Sequence, residues 1–159
     1  MGWYPRISTG KLSFYRQIPK VDLHRHLEGS LRPGTLLEIA RQHGIPLPES
    51  NFHALVQMQP GDPLTFSNFL SKFQTLRMFY RSPEVIELVT SEAIADAAMD
   101  EAAYLELRFT PVALGRLQGF SLARVMDWVV LAAREAGARF SLPVRLIASV
   151  NRHEPVELA

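Results

Sequence analysis

Two histidines separated by one residue, His24 and His26, stand in the run V-D-L-H-R-H-L-E from Val21 to Glu28. The run alternates apolar and polar residues, the pattern of a half-buried β-strand. It puts Asp22, His24, His26 and Glu28 on one face and Val21, Leu23, Arg25 and Leu27 on the other. Side chains two apart on a strand project the same way, so one strand can bring two imidazoles to a single divalent metal. Neutral imidazole suits zinc, and a neighbouring carboxylate can complete or orient the set. The other reading of the pattern is a polar solvent face on an antiparallel strand, with no metal. A second run, Y-L-E-L-R-F-T from Tyr104 to Thr110, places Glu106 and Arg108 on one face, where a structural ion pair is favoured over catalysis. Phe66, Phe69 and Phe73 recur at helical steps, which fits either a buried stripe or a wall for a planar ring. His43 and His53 read as helix-surface residues, and His153 as structural or close to a site.

The elements that must position these residues follow in a simple order. A strand over 21–28 leads through Gly29-Ser30 to a helix that opens at Pro33 and stops at Gly44, a proline-first, glycine-last arrangement. A proline-rich loop encloses a short helix over 50–58. An amphipathic helix over 66–80 follows, then a helix capped by Ser82 with Pro83 at its first position. The strand over 104–110 ends at Pro111. A helix runs from Ser121 to a stop at Gly137, and a third strand covers 144–150. Strands separated by helices imply a parallel sheet with right-handed crossovers. A parallel sheet is covered by helices and has no ordinary solvated face, which favours the metal reading of His24 and His26. The long excursion over 29–102, with a helical insertion at about 45–102, far exceeds an ordinary connection between a strand and the next helix and is expected to form a lid.

Composition bounds the function. The chain has 159 residues, enough for one ordinary domain, with 47% hydrophobic and 21% charged residues and a net charge of +1. These values match globular proteins and leave no overall field to attract nucleic acid or an anionic membrane. There is no cysteine, so disulfides, thiolate metal ligands and thiol nucleophiles are excluded. No apolar run approaches the ~18 residues of a membrane span. Arg6, Lys11, Arg16 and Lys20 interrupt the first twenty residues, and Arg6 stands where myristoylation needs serine or threonine, so neither a secretory signal nor that lipid is expected. A cytoplasmic setting is expected.

On three stretches the chain resembles the adenosine deaminase family of metal-dependent aminohydrolases. They are P-K-V-D-L-H-R-H-L-E-G-S-L-R-P over 19–33, Y-L-E-L-R-F-T-P over 104–111 and R-L-I-A-S-V-N-R-H-E-P over 145–155. The F-L-S-K-F run over 69–73 resembles the helix that gates the family's substrate pocket. The resemblance implies an α/β fold, the N-terminal part of a (β/α)8 TIM-type barrel with about three βα units. It implies one Zn2+ per intact chain, with His24 and His26 as ligands, and hydrolytic deamination of a 6-aminopurine: adenosine, adenine or a modified adenosine. Substrate contacts are expected from Glu28, Phe66, Phe69 and Phe73. At the position of Glu28, family members that take nucleosides typically carry aspartate, and glutamate is more typical of adenine deaminases. A barrel of this kind takes about 250 residues, and no His-Ala-Gly-Glu type motif or Asp-Asp pair is present. The expectation is an N-terminal piece of a longer enzyme, with no catalytic acid or base of its own and a C-terminal half of the barrel to be supplied. The other readings are a non-catalytic fragment or decayed enzyme that pairs with another chain, or a different metal-dependent amidohydrolase.

Overall fold

The computed structural model describes residues 13–15, 17–48, 51–152 and 154–156. His153 and the expected helix start at Ser50 lie outside them. Strand β1 (Lys20–His26) passes through a 3-10 turn (Leu27–Gly29) to helices α1 (Pro33–His43), α2 (Phe52–Val56), α3 (Phe66–Arg77) and α4 (Pro83–Met99). Strand β2 (Ala102–Phe109), helices α5 (Pro111–Gly115) and α6 (Leu122–Arg139) and strand β3 (Val144–Ala148) complete the order. The sheet is parallel throughout, in the order β1-β2-β3, as the helix-separated strands require. These are the first three strand–helix units of a (β/α)8 barrel.

Each boundary has a local cause. Gly44 adopts φ +61° and caps α1, a left-handed conformation that costs glycine little. The Ser82 hydroxyl accepts the Val85 N–H at the start of α4, and Ser121 does the same for Arg124 at the start of α6. Pro111 ends β2 as expected but also opens the short helix α5, which periodicity did not reveal. Gly137 is not the stop of α6. It is buried inside that helix, where an added Cβ would stand 3.1 Å from the Leu142 carbonyl oxygen and 3.3 Å from Val144 Cγ2. The glycine lets α6 close onto the chain entering β3.

The core lies between the sheet and helices α4 and α6. Leu105, Leu107 and Phe109 of β2 are fully buried and join Val89, Ala93 and Ala97 of α4 and Val125, Val129 and Ala136 of α6 in one apolar cluster. The other face of β2 carries Tyr104, Glu106 and Arg108, each half-buried.

Strand β1 departs from strict alternation. Its register against β2 breaks between Asp22, opposite Leu105, and Arg25, opposite Leu107, so three steps on β1 match two on β2. Within this bulge His24 takes φ +67°. An extra residue reverses the facing of everything after it. Arg25, three residues on, therefore falls on the same side as Asp22, the helix side. There Arg25 Nε donates to Asp22 at 2.6 Å and its Nη1 reaches the Ala93 carbonyl at 3.5 Å. The expectation that Asp22 shares a face with the histidines is corrected. So is the expectation that Val21 and Leu23 are core residues: they are 61% and 60% exposed on the open side. Glu28 is not a strand residue either, because it belongs to the 3-10 turn.

Candidate functional site

The histidines of β1 stand on one side of the strand, as their two-residue spacing requires. The His24 and His26 rings lie with centroids 5.1 Å apart. His26 pairs with Arg108 across the sheet, and Arg108 Nη1 stands 3.0 Å from His26 Nε2 and 3.2 Å from its Nδ1. The expected Glu106–Arg108 ion pair is absent among the described residues. Glu106 instead accepts the Tyr104 hydroxyl at 3.1 Å, and Arg108 serves the histidine. Burial first, and then the Arg108 charge, lower the pKa of His26; Glu28 opposes this and His24 adds to it. The effect favours the neutral ring of His26, the form that binds a metal.

Glu28 is 3% exposed. One carboxylate oxygen, Oε1, accepts the backbone N–H of Thr110 at 2.8 Å, which ties the turn after β1 to the end of β2. The other, Oε2, is buried without a partner. Beside it runs a cleft of about 500 Å³, within the range of small-molecule sites. Its walls include His26, Glu28 and Arg108 from the sheet end and Phe66, Phe69, Phe73 and Arg77 from α3.

Helix α3 lines the cleft with its phenylalanines. Of its residues only Leu76 is buried, while Phe66 is 75% and Phe69 47% exposed. Phe73 meets the His26 ring edge-on at 6.4 Å and Phe69 at 5.1 Å. Lys72 anchors the helix from behind, with its ammonium donating to the Ala54 carbonyl at 2.5 Å and standing 3.7 Å from Asp62. The Phe73 ring also packs over the turn below, where a Cβ on Gly29 would stand 3.4 Å from it, an ordinary contact distance.

Of the residues singled out from the sequence, His26, Glu28, Phe66, Phe69 and Phe73 line the cleft, His24 stands beside His26 outside that lining, and Asp22 faces the helices. Sequence reasoning missed Arg77 and the pairing of Arg108 with His26. Arg77 follows Phe73 by four residues on the same helical face, so the spacing that found the phenylalanines could have found it. The Arg108 contact depends on strand register, which no local pattern encodes. A zinc ion fits the donor chemistry in part. Two adjacent imidazoles are suitable ligands, but catalytic sites use three protein ligands, and the described residues contain no group of three or more histidine, aspartate or glutamate side chains able to hold a metal.

Comparison with known proteins widens the frame. An adenosine deaminase from Vibrio vulnificus is 33% identical over 143 residues, covering 89% of this chain and 43% of the relative. A zinc-bound amidohydrolase from Burkholderia ambifaria superposes with a TM-score of 0.81 at 25% identity, over 97% of this chain and 42% of that one. The N6-methyl-AMP deaminase of Arabidopsis thaliana superposes with a TM-score of 0.71 at 27% identity, over 92% and 44%. The chain therefore spans less than half the length of the proteins it matches. The family model for adenosine deaminase matches residues 19–159, a stretch that holds the bulged histidine strand, the aromatic helix and all three parallel strands, and by that match the chain belongs to the adenosine deaminase family.

Proposed function

We propose that the intact protein is a zinc-dependent hydrolase that removes the 6-amino group of a purine, and that this chain supplies the metal-binding strand and the aromatic wall of its site. The observation that carries the reading is the histidine pair beside the aromatic cleft. His24 and His26 stand side by side, and His26 lines a cleft walled by Phe66, Phe69 and Phe73. A flat, largely apolar ring fits between such a wall and the sheet end. His24 and His26 would hold the zinc. When bound, zinc supplies the Lewis acidity that makes a water molecule nucleophilic near neutral pH. Residues of this chain hold and screen the ring: Phe69 and Phe73 exclude water from one side, and Glu28 offers a fixed acceptor at the base of the cleft.

The proton-transfer groups and the remaining metal ligand come, in this reading, from sequence outside this stretch, in keeping with relatives more than twice as long. Helices α2 and α3 act as a lid over the cleft. Glutamate at position 28 reaches farther than aspartate and reduces the room for a ribose. The preferred substrate is therefore adenine or a modified adenosine over adenosine itself. The test is turnover of adenine, adenosine and N6-methyl-AMP by the full-length protein, followed by absorbance, with and without a chelator. Deamination of a 6-aminopurine that the chelator abolishes is expected, and full activity in the metal-stripped protein would overturn the reading.

A further inference from the structure

Arg108 does not meet His26 as a hydrogen-bond donor does. Its Nη1 stands 3.0 Å from His26 Nε2 and 3.2 Å from Nδ1, nearly the same distance from both ring nitrogens. A donor to an imidazole approaches along a lone pair in the ring plane, close to one nitrogen and far from the other. A point in that plane this near to both nitrogens lies just beyond Cε1 and overlaps it. The guanidinium nitrogen therefore stands over the face of the ring.

Strand pairing sets up this contact. Arg108 of β2 lies opposite His26 of β1 in the parallel register. Neighbouring strands run about 4.8 Å apart, a spacing that lets flat side chains on one face of a sheet lie against each other. Arginine suits the place, because its guanidinium is planar, weakly hydrated and stacks on aromatic faces. Phe73 meets the same ring edge-on at 6.4 Å, and the His24 ring adjoins it at 5.1 Å. The His26 ring is thus held at its face and flanked by two other rings, while the lone pairs in its plane are not spent on Arg108.

Resting on the reading of His26 as a zinc ligand, we propose that Arg108 is a positioning residue that clamps the His26 ring by its face and so orients a ring nitrogen for the metal without competing for it. Groups that orient a metal-binding histidine usually do so by accepting its second ring N–H; a guanidinium has no acceptor and acts here through the face. Its charge opposes a metal cation close by, so what it contributes is orientation. The opposite reading makes Arg108 a plug on the ring's lone pair, displaced when the metal enters. The two readings predict opposite effects of removing it.

The test measures zinc affinity of the full-length protein by competition with a chromophoric chelator, with melting temperature followed alongside. Arg108→Lys keeps the charge and loses the plane; Arg108→Met keeps much of the apolar stem and loses both. Each variant is expected to bind zinc about ten- to a hundredfold more weakly, the usual loss when a group that orients a ligand is removed. Unchanged affinity in Arg108→Lys, or tighter binding by Arg108→Met, would overturn the inference while leaving the deaminase reading standing. Should neither variant fold, a crystal structure of the unmodified zinc-loaded protein decides. Nη1 should remain over the ring face with one ring nitrogen on the metal, and a guanidinium displaced from the ring would overturn the inference. An unmodified protein that binds no zinc would overturn both.

Discussion

At the residue scale the make-up of the site turns on an irregularity in β1. His24 is a non-glycine residue at φ +67°, an uncommon conformation for such a residue, and the bulge around it parts Asp22 from the face of His26. Replacing either His24 or His26 by alanine in the full-length protein should lower bound zinc and deaminase activity together, as metal analysis alongside the rate would show. A double variant that still carried one zinc per chain would remove both residues from the ligand set. Arg108 tunes one of the pair. Burial and the Arg108 guanidinium lower the His26 pKa, so the folded chain holds that proton less tightly than the unfolded chain. Folding is then opposed as pH falls below the ordinary histidine value of about 6.5. NMR titration of the metal-free chain should put His26 below that value. Arg108→Gln should raise it only in part, since burial is the larger cause, and an unchanged midpoint would discount the guanidinium.

At the scale of elements, α3 is the part whose role sequence left most open. A core stripe and a ligand wall share the same spacing, and exposure separates them. Phe69 is half-exposed over a cleft and packs edge-on against Phe73. Phe69→Ala in the full-length protein should therefore raise KM more than it lowers melting temperature. A buried core phenylalanine would cost about 3–5 kcal/mol, and a loss of that size with unchanged KM would argue for the stripe. The α6–β3 junction gives a prediction of the opposite kind. Gly137→Ala puts a methyl group 3.1 Å from a backbone oxygen, and overpacking of this sort costs about 1–3 kcal/mol. Thermal unfolding should show the loss, with the histidine pair untouched. The clamp between α1 and α4 holds the excursion to the core side: Arg32 reaches Asp96 at 2.6 Å and Glu92 at 3.2 Å, and the Thr35 hydroxyl reaches Glu92 at 2.8 Å.

At the scale of the whole molecule, three parallel strands present an open face. Val21 and Leu23 are exposed there, and β1 and β3 are the outer members of the sheet. Unpaired strand edges and exposed apolar residues favour association. The isolated 159-residue chain should self-associate in sedimentation experiments and show no deaminase activity. Chelator-sensitive turnover by the purified chain would contradict the proposal that the acid–base groups lie elsewhere. No helix among the described residues is long and apolar enough to cross a membrane.

Local chemistry was enough to reveal the parallel βα order, the caps at Ser82 and Ser121, the glycine stop of α1 and the histidine pair. Each is written within a few neighbouring residues: an alternation, a hydroxyl three residues ahead of a free N–H, a proline at a first turn. Tertiary structure alone decided the facing of β1. Alternation assumes an unbroken register, and only the pairing with β2 reveals the extra residue that parts Asp22 from the face of His26, while Val21 and Leu23 stand exposed. It also decided that Gly137 is a contact point and not a terminus, because the crowding atoms come from the chain entering β3. Arg77, Arg108 and the free oxygen of Glu28 joined the site for the same reason. A side chain's chemical role depends on what lies across from it, and what lies across is set by strand register and helix packing between residues as far apart in sequence as His26 and Arg108.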